Sequence, residues 1–212
     1  MLKLPSDIEK TVKTMGPIAL KSYERVCDEN DSWAVRWVKA KVIKKTLIEE
    51  LIKKPYGITD TAEAGKNQCY ANIRRTVKAT DDRYKRPSYE AMFFFRNTIP
   101  VNCWFYKYGE ELPKAVKFES KYEKFSAELF AKPTLGHNEL LKLMERYGIN
   151  HLSESLGTTE LSRDKLYNLI RIRKNTAGII TYRCHPTFDI MLALKEHIRP
   201  DFWFVYPEEV KG

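Results

Sequence analysis

Over 212 residues the chain carries 37 basic and 28 acidic side chains, a formal charge of +9, with 43% apolar and 12% aromatic content. That composition excludes a disordered chain and supplies enough apolar surface for two small cores. No stretch has the length needed to span a bilayer, and the N-terminus has no apolar leader segment, so a cytoplasmic protein with no membrane partner is expected. The basic surplus favours a polyanionic partner, because neutralising phosphates releases condensed counterions, although it also serves solubility. Cys27, Cys69, Cys103 and Cys184 are scattered without metal-type spacing. They read as reduced structural thiols, and no cofactor is expected.

In chain order, residues 1–29 read as an N-terminal helical extension. Ser6 opens a helix with Ile8, Val12 and Met15 on one face, and a second helix covers Pro17 to Cys27. Residues 30–109 form a first unit, opened by a long helix from Ser32. There Trp33, Trp37, Ala40, Ile43, Leu47 and Leu51 recur at steps of three or four, widened by Val35, Val38 and Val42. Tyr56-Gly57-Ile58, a polar turn, a short basic helix over Asn67–Lys78 and an amphipathic helix after Pro87-Ser88 complete it, closed by Trp104-Phe105. Residues 110–137 are expected to be linker and bridging helix. Gly109–Pro113 is the flexible part; Phe118, Tyr122, Phe125 and Leu129 form a stripe, which Lys132-Pro133-Thr134 interrupts and Leu140, Leu141, Leu143 and Met144 resume.

Residues 138–212 repeat the first unit. Arg86–Tyr106 lies on His185–Val205 without a gap, with Pro87 on Pro186, Met92 on Met191, Ile99 on Ile198 and Trp104 on Trp203, all 99 apart. Upstream, Tyr70, Ile73 and Arg74 fall on Tyr167, Ile170 and Arg171, 97 apart, and Tyr56-Gly57-Ile58 on Tyr147-Gly148-Ile149, 91 apart. On this alignment Asn72 falls on Leu169. A recurring unit of this size makes two modules rather than a solenoid.

The second unit contains Leu152-Ser153-Glu154-Ser155-Leu156-Gly157, then Ser162-Arg163-Asp164-Lys165-Leu166-Tyr167-Asn168, then Pro186-Thr187-Phe188 with Met191, Leu192 and Leu194. Over residues 138–207 this resembles the Cro/repressor type of helix-turn-helix domain familiar from phage repressors. It departs from that pattern in a longer turn after Gly157, a shorter preceding helix and an extended loop from Lys174 to His185. The resemblance implies a mainly α fold of two similar helix-turn-helix units. Gly178-Ile179-Ile180-Thr181-Tyr182-Arg183, rich in strand formers, is expected as a small β-hairpin or wing, or as a packing strand.

With Ser162 capping the recognition helix, Leu166, Leu169 and Ile170 face the core and Arg163, Asp164, Lys165 and Asn168 point outward. Arg163 and Asn168 are the best base readers, since Arg pairs with guanine and Asn with adenine through two hydrogen bonds. Arg171, Arg173 and Lys174 are assigned to phosphate. Gln68, Asn72, Arg74, Arg75 and Lys78 are the corresponding candidates in the first unit. The expected function is sequence-specific binding of double-stranded DNA in transcription regulation, the tandem repeat acting as a covalent pseudo-dimer. The alternative is a basic adaptor or inhibitor that uses the helices as a scaffold, with a protein partner held through the first unit. His137, His151, His185 and His197 lack ligand spacing, and no phosphate loop or nucleophile elbow is present, so no enzyme is expected. The Phe93-Phe94-Phe95 run is assigned to the core.

Overall fold

The computed structural model describes residues 4–56, 67–78, 86–122, 129, 132–148, 151–155, 161–174, 180–182 and 185–210. The chain is mainly helical and divides into two compact units, Met1–Pro113 and Lys114–Gly212. The boundary falls at the end of the Gly109–Pro113 segment.

In the first unit α1 (Leu4–Lys13) and α2 (Pro17–Val26) both pack on α3 (Trp33–Ile43). Burial of Leu4, Ile8 and Thr11 on α1 faces the densely apolar α3, where Ala34, Val35, Trp37, Val38 and Ala40 are all buried. Two polar anchors accompany this packing. Trp37 Nε1 donates to Asp7 Oδ2 at 2.5 Å, and Lys41 Nζ lies 2.9 Å from the same oxygen. Behind them, Lys39 and Asp31 form a buried ion pair at 2.7 Å.

The long helix expected from Ser32 through Leu51 is broken. Ser32 caps α3 through Val35 N–H at 3.3 Å, but α3 stops at Ile43. Lys45 then takes a left-handed conformation, φ 59°. Thr46 N–H donates to Lys41 O at 2.9 Å and Lys45 N–H to Val42 O at 3.0 Å, the paired bonds of a Schellman closure. The turn redirects the chain so that Leu47 enters the core directly after it, and Leu51 and Ile52 enter from a separate π-helical turn, Glu49–Lys53, which Lys54–Tyr56 continues. Next comes α4 (Gln68–Lys78), whose N-terminus is held by Asn67 Oδ1 accepting from Tyr70 N–H at 3.0 Å. It is followed by α5 (Tyr89–Phe94), capped by Ser88, and a 3-10 turn at Val101–Trp104. Of the run assigned to the core, Phe93 and Phe95 are buried, whereas Phe94 is half-buried.

The second unit opens without the bridging helix expected across Phe118 and Tyr122. Residues 114–122 are extended: Phe118 pairs with Val210, and Glu119 N–H donates to Glu209 O at 2.8 Å. Val116 N–H goes to Asp201 Oδ2 at 2.8 Å and Lys121 N–H to Glu209 Oε1 at 3.1 Å. These carboxylates take amides that a helix would have satisfied internally, which is why the stripe periodicity misleads. Leu129 is buried, whereas Phe125 lies outside the described residues.

Lys132-Pro133-Thr134 is a start rather than an interruption, since Thr134 caps α6 (Leu135–Tyr147). Then follow α7 (Leu152–Ser155) and α8 (Arg163–Ile170). The hairpin comes next, β1 (Ile172–Lys174) running antiparallel to β2 (Ile180–Tyr182) with Ile172 opposite Tyr182. The chain ends with α9 (Phe188–Ala193), capped by Thr187, and 3-10 turns at Pro200–Phe204 and Pro207–Glu209. Gly157, Gly178, Ile179 and Arg183 lie outside the described residues.

The repeat is present in three dimensions within each unit. α5 and α9 begin and end 99 residues apart, each behind its hydroxyl cap. α3 and α6 begin 102 apart behind Ser32 and Thr134. Trp33 N–H donates to Tyr106 O at 3.2 Å, and its counterpart Leu135 N–H to Val205 O at 2.9 Å. Burial corrects one part of the alignment: Tyr70 and Ile73 on α4 match Leu166 and Leu169 on α8 as the core-facing pair, an offset of 96 rather than 97. Asn72 therefore corresponds to Asn168, and the position of Leu169 is filled by Ile73.

Candidate nucleic-acid interface

Helix α8 of the second unit forms from its own sequence. Ser162 Oγ accepts from Lys165 N–H at 3.3 Å, satisfying an amide the first turn leaves free, and Asp164 adds a favourable acid there. Leu166 and Leu169 are buried at 0% and 1% exposure, while Ile170 is only half-buried. α8 packs through this face on α6 and β2. The opposite face presents Arg163, Asp164, Tyr167 and Arg171, with Lys165 exposed at its side and Asn168 half-buried beside it.

Five cations stand against one carboxylate between residues 163 and 174, so the segment is electropositive. Arg173 and Lys174 fall on β1, opposite Thr181 and Ile180. Sequence reasoning passed over Tyr167. It is 47% exposed and lies four residues from both Arg163 and Arg171, with the Arg171 guanidinium 6.0 Å from its ring centroid. The i, i+4, i+8 spacing was the available signal.

The matching face of the first unit is built differently. Gln68, Arg74 and Arg75 are exposed on α4, whose last residue is Lys78. Asn72 is half-buried, and its Oδ1 accepts from Ser88 N–H at 2.9 Å. The acceptor that a two-bond contact with adenine requires is thereby engaged in holding the start of α5. A cleft of about 440 Å³ opens here, lined by Gln68, Cys69, Ala71, Asn72, Arg75, Ser88 and Glu90. Four of these residues, Gln68, Ala71, Asn72 and Arg75, are the counterparts at the 96-residue offset of Asp164, Tyr167, Asn168 and Arg171. Within the first unit the cleft thus opens on the face of α4 that corresponds to the outward face of α8, with Ala71 at the position of Tyr167. Burial pushes the Cys69 thiol pKa up, with a smaller push from the Glu90 carboxylate, so the thiol stays protonated and unreactive. The units also diverge at the helix end: α4 runs on through Thr76–Lys78, whereas the corresponding Ile172–Lys174 form β1.

Two histidines of the second unit are shielded from water, His137 buried and His185 half-buried. His137 joins Thr134 in a capping box. Thr134 N–H donates to its Nδ1 at 3.2 Å, which fixes the other nitrogen as the protonated one. Its ring meets Trp203 edge to face at 5.3 Å. Burial holds its pKa down at about 4, and that of His185 down at about 3, the latter assisted by His137. Both are neutral at pH 7.

No helix among the described residues is long and apolar enough to cross a membrane. No protein-family model, curated protein or solved structure matches the chain.

Proposed function

We propose that the protein binds double-stranded DNA in a sequence-specific manner and regulates transcription, with α8 as the reader of its second unit. The carrying observation is a capped helix with one buried line, Leu166 and Leu169, and an opposite exposed line of Arg163, Asp164, Tyr167 and Arg171. A helix of this kind fits the major groove and offers three or four side chains to base edges. The order of α6, α7, α8, hairpin and α9 supports the resemblance to repressor-type helix-turn-helix domains. Arg163 is assigned to guanine and Asp164 to the amino group of cytosine, while Lys165, Arg171, Arg173 and Lys174 meet phosphate.

In the first unit Gln68, Arg74, Arg75 and Lys78 supply a second contact surface, and Asn72 positions α5. Two readers on one chain form a covalent pseudo-dimer for half-sites about 34 Å apart, one turn of the duplex. Because the readers differ, the site is not a strict palindrome.

Selection of bound sequences from a random duplex pool, followed by affinity against salt, tests the reading. A defined site with two blocks one turn apart, and log affinity falling linearly with log salt, is expected. Charge reversal by Arg163→Glu and Arg171→Glu should abolish that binding. An affinity independent of salt, or no enriched sequence, would overturn the reading in favour of a protein-binding adaptor.

A further inference from the structure

We infer that Tyr167 reads the C5-methyl group of a thymine, in the block of the site bound by the second unit only. The inference rests on the DNA-binding reading and refines it. Tyr167 is nearly half exposed at the centre of the outward face of α8, where a core role has no need of a large ring. Arg163 and Arg171 stand one turn to either side, so a duplex drawn to those cations brings base edges against the ring. Among the base pairs, only those containing thymine present an apolar group in the major groove, and apolar side chains recognise it there. The Arg171 guanidinium lies over the ring, 6.0 Å from its centroid, within the range in which a cation steadies an aromatic face.

The first unit serves as an internal control. Ala71 stands at the position of Tyr167 beside a cleft between α4 and the start of α5, so this position of α4 presents no ring to a methyl group.

The experiment takes the duplex recovered by selection and replaces its thymines one at a time with deoxyuridine, which differs only by the missing methyl. With the full-length protein, one thymine position should lose roughly fourfold in affinity, the worth of one buried methyl group. Tyr167→Phe should retain that dependence. Tyr167→Ala should bind more weakly to the thymine duplex and no longer distinguish it from the uracil one, with unchanged circular dichroism. Indifference of the protein to every replacement, or an equal loss in Tyr167→Ala, would overturn the assignment of Tyr167 while leaving DNA reading intact. Failure of the pool to yield any site would overturn both.

Discussion

Replacing Gly136 by alanine sets helix propensity against packing at a position where the two have opposite signs. Gly136 lies in the first turn of α6, fully covered. A Cβ built there would stand 2.4 Å from Trp203 Cδ2 and 2.6 Å from Cε3, whereas carbon atoms pack at about 3.5–4.0 Å. The overlap is therefore on the order of 1 Å, against a rigid indole with 0% exposure. Removing glycine from a helix gains about 1 kcal/mol; forcing an over-large group into a filled core costs about 1–3 kcal/mol. With an indole unable to turn aside, the cost lies at the upper end, and the expected net effect is a loss of about 1–2 kcal/mol. The counterpart position in the first unit already holds a side chain, the buried Ala34, so there the same logic makes Ala34→Gly the destabilising change. Trp203 is the only tryptophan after Pro113. Urea unfolding of a variant with Trp33, Trp37 and Trp104 changed to Phe therefore reports the second unit alone. A gain in stability for Gly136→Ala would refute the reasoning, since it would mean that propensity decides and that α6 and the indole move apart freely.

The same unit should weaken in acid. His137 has its pKa at about 4 in the folded chain against about 6.5 when unfolded, so below pH 6.5 the unfolded chain takes up the proton first. Stability present at neutral pH is thus lost as pH falls from 6.5 toward 4, by roughly 3 kcal/mol for this group. His185 acts in the same direction. Urea midpoints measured from pH 7.5 to 4.5 should fall, and His137→Gln should flatten the profile. At the left-handed turn ending α3, Lys45→Gly should stabilise by about 1 kcal/mol by removing Cβ strain; Lys45→Val should destabilise, and equal melting temperatures for the two would count against the strain. In the buried pair of Asp31 with Lys39, Asp31→Asn should cost about 3–5 kcal/mol because the ammonium is left without its carboxylate. Lys39→Met should cost less. Asp31 would still lie 3.3 Å from Arg36 Nε and accept from Asp28 N–H at 2.8 Å. Denaturation showing the reverse order would refute this account of the pair.

Much of the architecture follows from local chemistry, and so is legible in the chain. Hydroxyl residues before apolar runs specify their own helix starts, because the side-chain oxygen satisfies an amide three residues on. Ser32, Ser88, Ser162 and Thr187 all do this, which is why the repeat and α8 could be placed from sequence. The exposure of Arg163, Asp164 and Lys165 follows equally from the spacing of Leu166 and Leu169. Long-range competition for backbone groups is another matter. The Phe118 and Tyr122 stripe has helical spacing, yet Asp201 and Glu209, more than 80 residues away in the chain, take the amides and hold the segment extended. Whether Trp33 to Leu51 runs as one helix or two is decided by where the core lies relative to Leu47 and Leu51, and no local signal encodes the left-handed turn at Lys45. The register between α4 and α8 is likewise visible only as burial. Side chains facing a common core define equivalence, while chemical likeness along the chain pairs Tyr70 with the exposed Tyr167. Sequence by itself determined the mainly helical class, the capped helix starts, the duplication and the basic run from Arg163 to Lys174. Tertiary structure alone decided which residues of that face are free to reach a partner, because the engagement of Asn72 with Ser88 and the exposure of Tyr167 depend on what packs beside each helix.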